Sequence, residues 1–280
     1  GFFRYCVDRE WTIPHFEKML YDQALLLWNY SLAARLFNRT GYRRTAAGIV
    51  RALEETFRVG EMYASAHDAD TSHREGATYI WKLDEIESLL SEEEADAVLR
   101  TFALTKDGNF ERRNHLVRIL PPGYEVDLPQ AAKRAPAPQT LERALEKLLA
   151  ARREREQPFR DEKTVLAWNA LAGCGLLAAH RYADVEGSLG RAVELARALV
   201  ARFVGPDGVA HLALGSQLQH QEFLSDVAAL LLFLTMLGEE STELDAEFAD
   251  TRQLLVRRLA ALRDDDVWME SIPADFPPVP

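Results

Sequence analysis

Ionisable residues gather at the start of an apolar stretch, "REWTIPHFEKMLYDQALLL", at residues 9–27. The spacing of its leucines and alanines predicts a helix over residues 15–37. His15, Lys18 and Asp22 are three and four positions apart, so they would share one face of that helix. Asp22 would continue into an apolar face, where a carboxylate needs a partner or a polar cavity. The helix entrance is therefore a candidate site.

The alternative for this stretch is helix capping and ion pairing. Pro14 suits the first turn of a helix, and an early Glu17 favours the positive end of the helix dipole. In this interpretation Glu17 and Asp22 would pair with one of three nearby cations: Arg4, Arg9 or Lys18.

A second cluster of ionisable residues lies in "SAHDADTSHREGATYIW" at residues 65–81. Paired carboxylates between aromatic rings are typical of sugar chemistry, in which one carboxyl group protonates a leaving oxygen and the other acts as base or nucleophile. The candidates are Asp68, Asp70 and Glu75, with Tyr63, Tyr79 and Trp81 as rings. A polar hairpin turn is the alternative. Calcium is a weaker one, because the loop lacks the further oxygen ligands of an EF-hand.

Two more polar clusters precede apolar stretches. "DEKTVLAWNAL" predicts Asp161 at a helix entrance, Lys163 one turn further in, and Trp168 with Asn169 among leucines. "HQEFLSDVAAL" predicts that its polar residues, His220, Glu222 and Asp226, begin the next such helix. If these helices run in the same direction, all their charged entrances meet at one end.

The hydrophobic pattern predicts three pairs of helices, each with an inner helix buried nearly all round and an outer amphipathic one. The last two inner helices start about 60 residues apart, at Lys163 and Glu222, which indicates stacked helical hairpins. Because the inner helices have almost no wet face, we expect a closed all-α (α/α)6 barrel rather than an open solenoid. Residues 58–135, which include a Pro-rich loop, are predicted to form an insertion with short β-hairpins on one rim.

Composition narrows the possible partners of this 280-residue chain. A net charge of -11 disfavours a nucleic-acid track and fits a neutral ligand. The most apolar run, residues 227–237, is too short to span a bilayer. Cys6 and Cys174 form no CxxC pair, so the sequence predicts no disulfide framework and no metal site, and a reducing cytoplasm is the simplest compartment. No cofactor is expected.

The motifs "GFFRYCVDREWTIPHFEKMLYDQA", "SAHDADTSHREGATYIW", "GNFE" and "DEKTVLAWNAL" resemble, in order and spacing, the family of YyaL and spermatogenesis-associated protein 20. The resemblance implies a six-hairpin, glycosidase-like (α/α) barrel that follows an N-terminal thioredoxin-like domain. It implies that this domain and the first and last hairpins of the barrel lie outside these residues. The fourth motif departs from the family's D-D-Y-A run, because Ser225, Asp226, Val227 and Ala228 stand there.

The architecture that the resemblance implies is similar to that of sugar epimerases and glycosidases. We therefore expect a carbohydrate-active barrel with a sugar-like small-molecule ligand. Epimerisation would need an acid and a base on opposite faces of a sugar carbon, for which His15 and His220 are placed. Hydrolysis would need two carboxylates. The alternative is a binding module without turnover that works with the thioredoxin-like domain of the same parent chain.

The expected site residues fall into two groups. The candidate catalytic residues are His15, Asp22, Asp68, Asp70, Glu75, Asp161 and Asp226. The candidate substrate-binding residues are Arg4, Tyr5, Trp11, Glu17, Lys18, Tyr21, Trp81, Glu111, Lys163, Trp168, Asn169 and His220.

Overall fold

A computed structural model describes residues 1–119, 137–206 and 208–271. The α-helices of this part of the chain are α1 Leu20–Phe37, α2 Thr40–Ala52, α3 Leu83–Leu89, α4 Glu92–Thr101, α5 Pro138–Arg153, α6 Leu166–Ala183, α7 Ser188–Phe203, α8 Leu224–Gly238, α9 Thr242–Glu247 and α10 Ala249–Ala261. A π-helical turn, Leu53–Phe57, continues α2. Residues 120–136, which include most of the predicted Pro-rich loop, lie outside the described residues.

Short antiparallel strands connect these helices. They are β1 Tyr5–Cys6, β2 Pro14–His15, β3 Lys18–Met19, β4 Arg58–Val59, β5 Met62–Tyr63, β6 Ala66–His67, β7 Asp70–Thr71, β8 Arg74–Glu75, β9 Arg160–Asp161, β10 Thr164–Val165, β11 Val204–Gly205, β12 Gly208–Val209, β13 Leu212–Leu214, β14 Gln217–Gln219, β15 Arg263–Asp264 and β16 Val267–Trp268.

The chain divides into two compact units. The first unit comprises Gly1–Phe2, Lys18–Ala66 and Arg160–Pro280, and the second comprises Phe3–Glu17 and His67–Phe159. The predicted insertion at residues 58–135 overlaps the second unit, and its assignment as an insertion into one barrel domain stays a prediction.

The helices of the first unit form three groups: α1 with α2, α6 with α7, and α8 with the two consecutive helices α9 and α10. A β-hairpin with strands of two residues follows each group: β4 with β5, β11 with β12, and β15 with β16. The predicted repeat of an inner helix and an outer helix is confirmed, and the third hairpin extends it. Helix α7 shows the expected amphipathic pattern, with Leu195, Leu199 and Phe203 buried.

Of the three inner helices, only α6 is buried nearly all round. Its Gly173 approaches the Phe233 ring of α8 so closely that an added Cβ would lie 2.2 Å from a ring carbon. The prediction that all inner helices lack a wet face is wrong for α1 and α8. In α1, Leu25 is 44% exposed and Leu36 76% exposed, and in α8, Leu232 is 43% exposed.

Helix α1 begins at Leu20, so the prediction of a helix from residue 15 is wrong. The residues before it use their backbone groups in other pairings: His15 lies opposite Tyr5 in the β1–β2 ladder, and the Arg4 N–H donates to the Glu17 carbonyl at 2.9 Å. Pro14 therefore lies in a strand and not in a first helical turn. His15 and Lys18 also do not share a helical face with Asp22.

Two more inner helices begin later in the chain than predicted. Helix α6 begins at Leu166, so Lys163 precedes it instead of lying one turn inside. Helix α8 begins at Leu224, which places His220 and Glu222 before the helix and leaves Asp226 in its first turn. In each case extended segments around the helix start pair in a sheet, which consists of β10, β13 and β14.

The second unit has its own apolar core. One cluster joins α3, α4 and α5 through residues such as Ile86, Val98 and Leu148, and another surrounds Phe16 and Tyr79. No helix in the described residues is long and apolar enough to cross a membrane.

Candidate active site

The inner helices of the first unit begin at the same end. The N–H of Ala167 in the first turn of α6 donates to Oδ1 of Asp226 in the first turn of α8, at 3.0 Å. The ring of Tyr21, at the start of α1, meets the ring of Trp168 edge to face, with centroids 5.0 Å apart. Each contact joins one helix start to another. The predicted convergence of the three entrances is therefore confirmed.

A histidine and a buried carboxylate form a dyad at this end. Nδ1 of His211 lies 2.7 Å from Oδ2 of Asp226, whose side chain is fully buried. The backbone of His211 is fixed on both sides, because its N–H donates to Gln219 and its carbonyl accepts from the Leu166 N–H. Among the described residues Nε2 of His211 has no hydrogen-bond partner, and 26% of the side chain is exposed.

The environment of the dyad favours acid–base chemistry. Burial raises the pKa of Asp226 to about 6, although hydrogen bonds from His211 and from the Ala167 N–H oppose this rise. A carboxylate that holds Nδ1–H fixes the tautomer and leaves the lone pair of Nε2 available. This is the arrangement that a general base requires.

The pattern of polar residues in the sequence does not single out His211. The residue lies in the strand-like stretch "GVAHLALG", and its partner Asp226 is 15 positions away. The sequence signal was a histidine upstream of a predicted inner helix, and His220 lies nearer to that helix than His211 does. In the structure His220 is exposed and lies between β14 and α8.

Three further predicted residues of the first unit, Asp161, Lys163 and Glu222, form ion pairs. Nζ of Lys163 lies 2.9 Å from Asp161, and although burial raises the pKa of Asp161, the hydrogen bonds from Lys163 outweigh it and keep this pKa below its usual range. The Glu222 carboxylate accepts hydrogen bonds from Nε and Nη2 of Arg258, and its side chain is 8% exposed.

Asn169 is fully buried and holds a neighbouring strand in place. Its side-chain oxygen accepts from the Tyr63 N–H at 2.8 Å, and its nitrogen donates to the carbonyls of Tyr63 and Val165 at 3.0 Å. The partners that an amide in an apolar helix requires are therefore backbone groups of β5 and β10.

A separate cluster in the second unit brings together five predicted residues. Nδ1 of His15 lies 3.0 Å from Glu75, and Nε2 lies 3.8 Å from Glu17. Arg4 binds the same Glu17 oxygen at 2.8 Å, and the Tyr5 ring stacks on the His15 ring at 4.8 Å. The histidine thus lies between two carboxylates.

The remaining predicted residues of the second unit lie apart from that cluster or in other environments. Asp68 and Asp70 are exposed where the chain enters the β7–β8 hairpin, and Glu111 is exposed in a tight turn with φ of 46°. Trp81 is only 2% exposed and packs in the unit's core under the Arg155 guanidinium. The expected contact of Trp81 with a ligand stays a prediction.

The described residues contain no group of three or more His, Cys, Asp or Glu side chains that could hold a metal ion. Protein-family models gave no match to the chain. Spermatogenesis-associated protein 20 from Homo sapiens is 36% identical over 201 residues, which covers 62% of this chain and 25% of the human protein. An uncharacterized protein from Caenorhabditis elegans is 30% identical over 232 residues, which covers 74% of this chain and 32% of that protein.

The resemblance to the spermatogenesis-associated protein 20 family is confirmed. The chain spans about a quarter of the length of the mammalian relatives that it matches.

The fold has a counterpart among solved structures. The cellobiose 2-epimerase from Spirochaeta thermophila aligns with 94% of this chain at a TM-score of 0.50 and 13% identity, and the match covers 47% of that enzyme. At this identity the likeness is one of fold alone. The predicted fold class, an all-α (α/α)6 barrel with short β-hairpins, is confirmed.

Proposed function

We propose that this chain is a carbohydrate-active domain that transfers a proton at the carbon beside a sugar carbonyl, as an epimerase or isomerase does. The observation that carries the proposal is the dyad of the first unit. Asp226 orients Nδ1 of His211 at 2.7 Å, and Nε2 remains available at a partly exposed position. A fixed imidazole of this kind can both take and return a proton.

The chemistry follows from the acidity of an open-chain sugar. The hydrogen on C2 of an aldose is acidic because the adjacent carbonyl accepts the electron pair of the broken C–H bond and forms an enediolate. Nε2 of His211 would take this proton, and Asp226 would stabilise the resulting imidazolium. Transfer of the O2 proton to O1, followed by proton return from Nε2 to C1, gives the ketose. Proton delivery to the opposite face of C2 gives the epimer, and Asp22 in the first turn of α1 is our candidate for that second donor.

The helix ends support the same reaction. Helices α1, α6 and α8 all begin at this end, so their backbone dipoles direct positive potential towards it. Positive potential stabilises the negative charge that develops on the enediolate oxygen. Developing oxyanions are a feature of this proton transfer, whereas glycoside cleavage proceeds through a cation-like transition state.

Glycoside hydrolysis is less well supported by the described carboxylates. A retaining or inverting enzyme needs one carboxyl group that donates a proton and another that stays free to attack or activate water. Asp161 is bound by Lys163, Glu17 by Arg4 and Glu222 by Arg258.

The fold shared with cellobiose 2-epimerase suggests the first substrates to test. We would incubate the full-length protein in D₂O with cellobiose, mannose or N-acetylglucosamine and follow deuterium incorporation at C2 by proton NMR. Exchange is expected for at least one sugar. His211→Asn and Asp226→Asn should reduce its rate by about 10²–10⁴-fold, the usual contribution of a general base.

The matched control is His180→Asn, which makes the same chemical change in the last turn of α6, at the end opposite to the dyad. This variant should keep the wild-type rate. If His220→Asn abolished exchange and His211→Asn kept the full rate, the general base would be His220 and not His211. If cellobiose instead gave a new reducing end with no deuterium at C2, the reaction would be glycoside hydrolysis and the proposal would be wrong.

One observation favours a second candidate, a binding module without turnover. The cations Arg4 and Lys163 already neutralise predicted site carboxylates. Sugar-induced stabilisation without exchange or hydrolysis would support that candidate. For either candidate function we predict that a thioredoxin-like domain of the parent chain is the working partner. We also predict a cytoplasmic location.

A further inference from the structure

The β1–β2 hairpin of the second unit presents an exposed tryptophan in a costly backbone conformation. Trp11, in the loop between the two strands, is 80% exposed. Its φ is 58°, in the left-handed region that bulky L-residues rarely adopt. A strained residue of this type persists only where its surroundings impose the conformation, and such residues cluster at functional sites.

Asp8 imposes this conformation. Its carboxylate accepts hydrogen bonds from the Thr12 hydroxyl at 2.7 Å, from the Ile13 N–H at 2.7 Å and from the Thr12 N–H at 3.1 Å. The Val7 N–H also donates to the Ile13 carbonyl at 2.9 Å. The hydrogen bonds from the Ile13 N–H and from Thr12 lower the pKa of Asp8 to about 2, so the loop keeps its ionised clamp at neutral pH.

A second aromatic ring lies on the same hairpin. Tyr5 is 50% exposed, and one face of its ring stacks on His15 with an angle of 22° between the planes. His15 is itself fixed between Glu75 and Glu17. The hairpin therefore carries two exposed rings whose supports are rigid, which lowers the entropic cost of binding.

The polar groups beside these rings limit the kind of ligand. Arg4 and His15 already face the carboxylates of Glu17 and Glu75, so the cluster has no large excess of one charge. Their side chains remain partly exposed, between 24% and 42%. Such groups can exchange hydrogen bonds with hydroxyls, whereas an ionic ligand would have to displace an existing pair. A sugar ring combines an apolar face with a rim of hydroxyls.

We propose that the β1–β2 hairpin is a carbohydrate-binding platform, with the rings of Trp11 and Tyr5 under sugar rings and with Arg4, Glu17 and Glu75 at the hydroxyls. The choice of a carbohydrate as the ligand of this platform rests on the proposed function. Its binding does not require proton transfer by His211, so the two proposals can fail separately.

The test measures binding of cellobiose and cellotetraose to the full-length protein by calorimetry. Wild type and the turnover-deficient His211→Asn variant should bind cellotetraose with equal Kd. Trp11→Ala should weaken binding about tenfold, which corresponds to about 1.4 kcal/mol of lost ring contact. Trp11→Phe should retain part of the affinity, because it keeps an aromatic face.

The matched control is Trp268→Ala, which removes another surface tryptophan, 49% exposed, on the β15–β16 hairpin. It should leave Kd unchanged. Asp8→Asn keeps the Trp11 ring but weakens its clamp, so we expect an intermediate loss of affinity, since the loop must then be ordered on binding.

Equal Kd values for Trp11→Ala and wild type would overturn the platform. The absence of any oligosaccharide binding by wild type would overturn it as well, and would favour a protein segment as the occupant of these rings. Trp11-dependent binding without deuterium exchange would keep the platform and remove the proposed function. Deuterium exchange together with binding that does not depend on Trp11 would keep the proposed function and remove the platform.

Discussion

At the scale of single residues, His115 illustrates how burial ties stability to pH. It is 7% exposed, and its ring meets the rings of Phe16 and Phe110 edge to face in the second unit. Burial lowers the pKa of His115 below the ordinary histidine value of 6.5, because a charged imidazolium is poorly solvated among these rings.

The sign of the pH effect follows from this depressed pKa. The unfolded chain binds a proton on His115 at a higher pH than the folded chain, so its contribution to stability is complete above pH 6.5 and is lost as pH falls through the folded pKa. We expect His115→Gln to flatten the fall of Tm between pH 7 and about pH 5. Exposed His220 offers the control, since His220→Gln should retain the wild-type slope. A slope unchanged by His115→Gln would contradict the assignment.

The dyad shows why residue spacing identified only half of the site. Asp226 could be singled out because it stands at the start of a predicted inner helix. The identity of that partner depends on the β13–β14 hairpin, whose register pairs Leu212 with Gln219 and folds His211 back towards α8. Register in two- and three-residue strands is fixed by tertiary pairing, so a one-sequence pattern does not reveal it.

At the scale of elements, hydrophobic periodicity located the helix pairs but misplaced the helix starts. The leucines of α1 and α8 have helical spacing, and that signal extends into whatever precedes them. At both positions backbone hydrogen bonds to distant segments stop the helix: the Leu20 N–H donates to the Ser65 carbonyl, and the Leu224 N–H donates to the Glu270 carbonyl. These partners lie 45 and 46 residues away, beyond any local pattern.

Helix α6 packs against α8 at a contact that only glycine permits. A Cβ on Gly173 would lie within 2.2–2.5 Å of three Phe233 ring atoms. Gly173→Ala should therefore lower the free energy of unfolding by about 1–3 kcal/mol, the usual cost of overpacking a core. Urea denaturation measures this change.

Two variants separate steric overlap from a general effect of alanine. Gly190, in helix α7, has no atom within 4 Å of an added Cβ. Gly190→Ala should therefore leave stability equal or raise it by up to about 1 kcal/mol, because alanine is the better helix former. Phe233→Leu should partly restore stability to Gly173→Ala by making room for the methyl group. A harmless Gly173→Ala would show that the two helices can separate at low cost.

At the scale of the whole molecule, the class of architecture was accessible because it depends on composition and period. Repeated pairs of one apolar and one amphipathic helix, with a period of about 60 residues, require stacked hairpins whatever the local details are. How completely each inner helix is covered was not accessible, because helix α1 exposes apolar residues that its sequence pattern assigns to the interior. Coverage depends on which elements are present beside a helix, and periodicity within the helix carries no such information.

The exposed apolar residues at the end of α1 should control the behaviour of the 280-residue chain in solution. Leu36 is 76% exposed and Phe37 is 63% exposed, side by side at the carboxyl end of the helix. Adjacent large apolar side chains on a surface favour self-association. We expect the double variant Leu36→Lys, Phe37→Lys to reduce light scattering on concentration and to bind less of an apolar dye, with Tm unchanged because neither side chain is buried. Arg35→Lys is the control, since it alters the neighbouring position without changing apolar area. Unaltered scattering in the double variant would mean that these residues do not drive association.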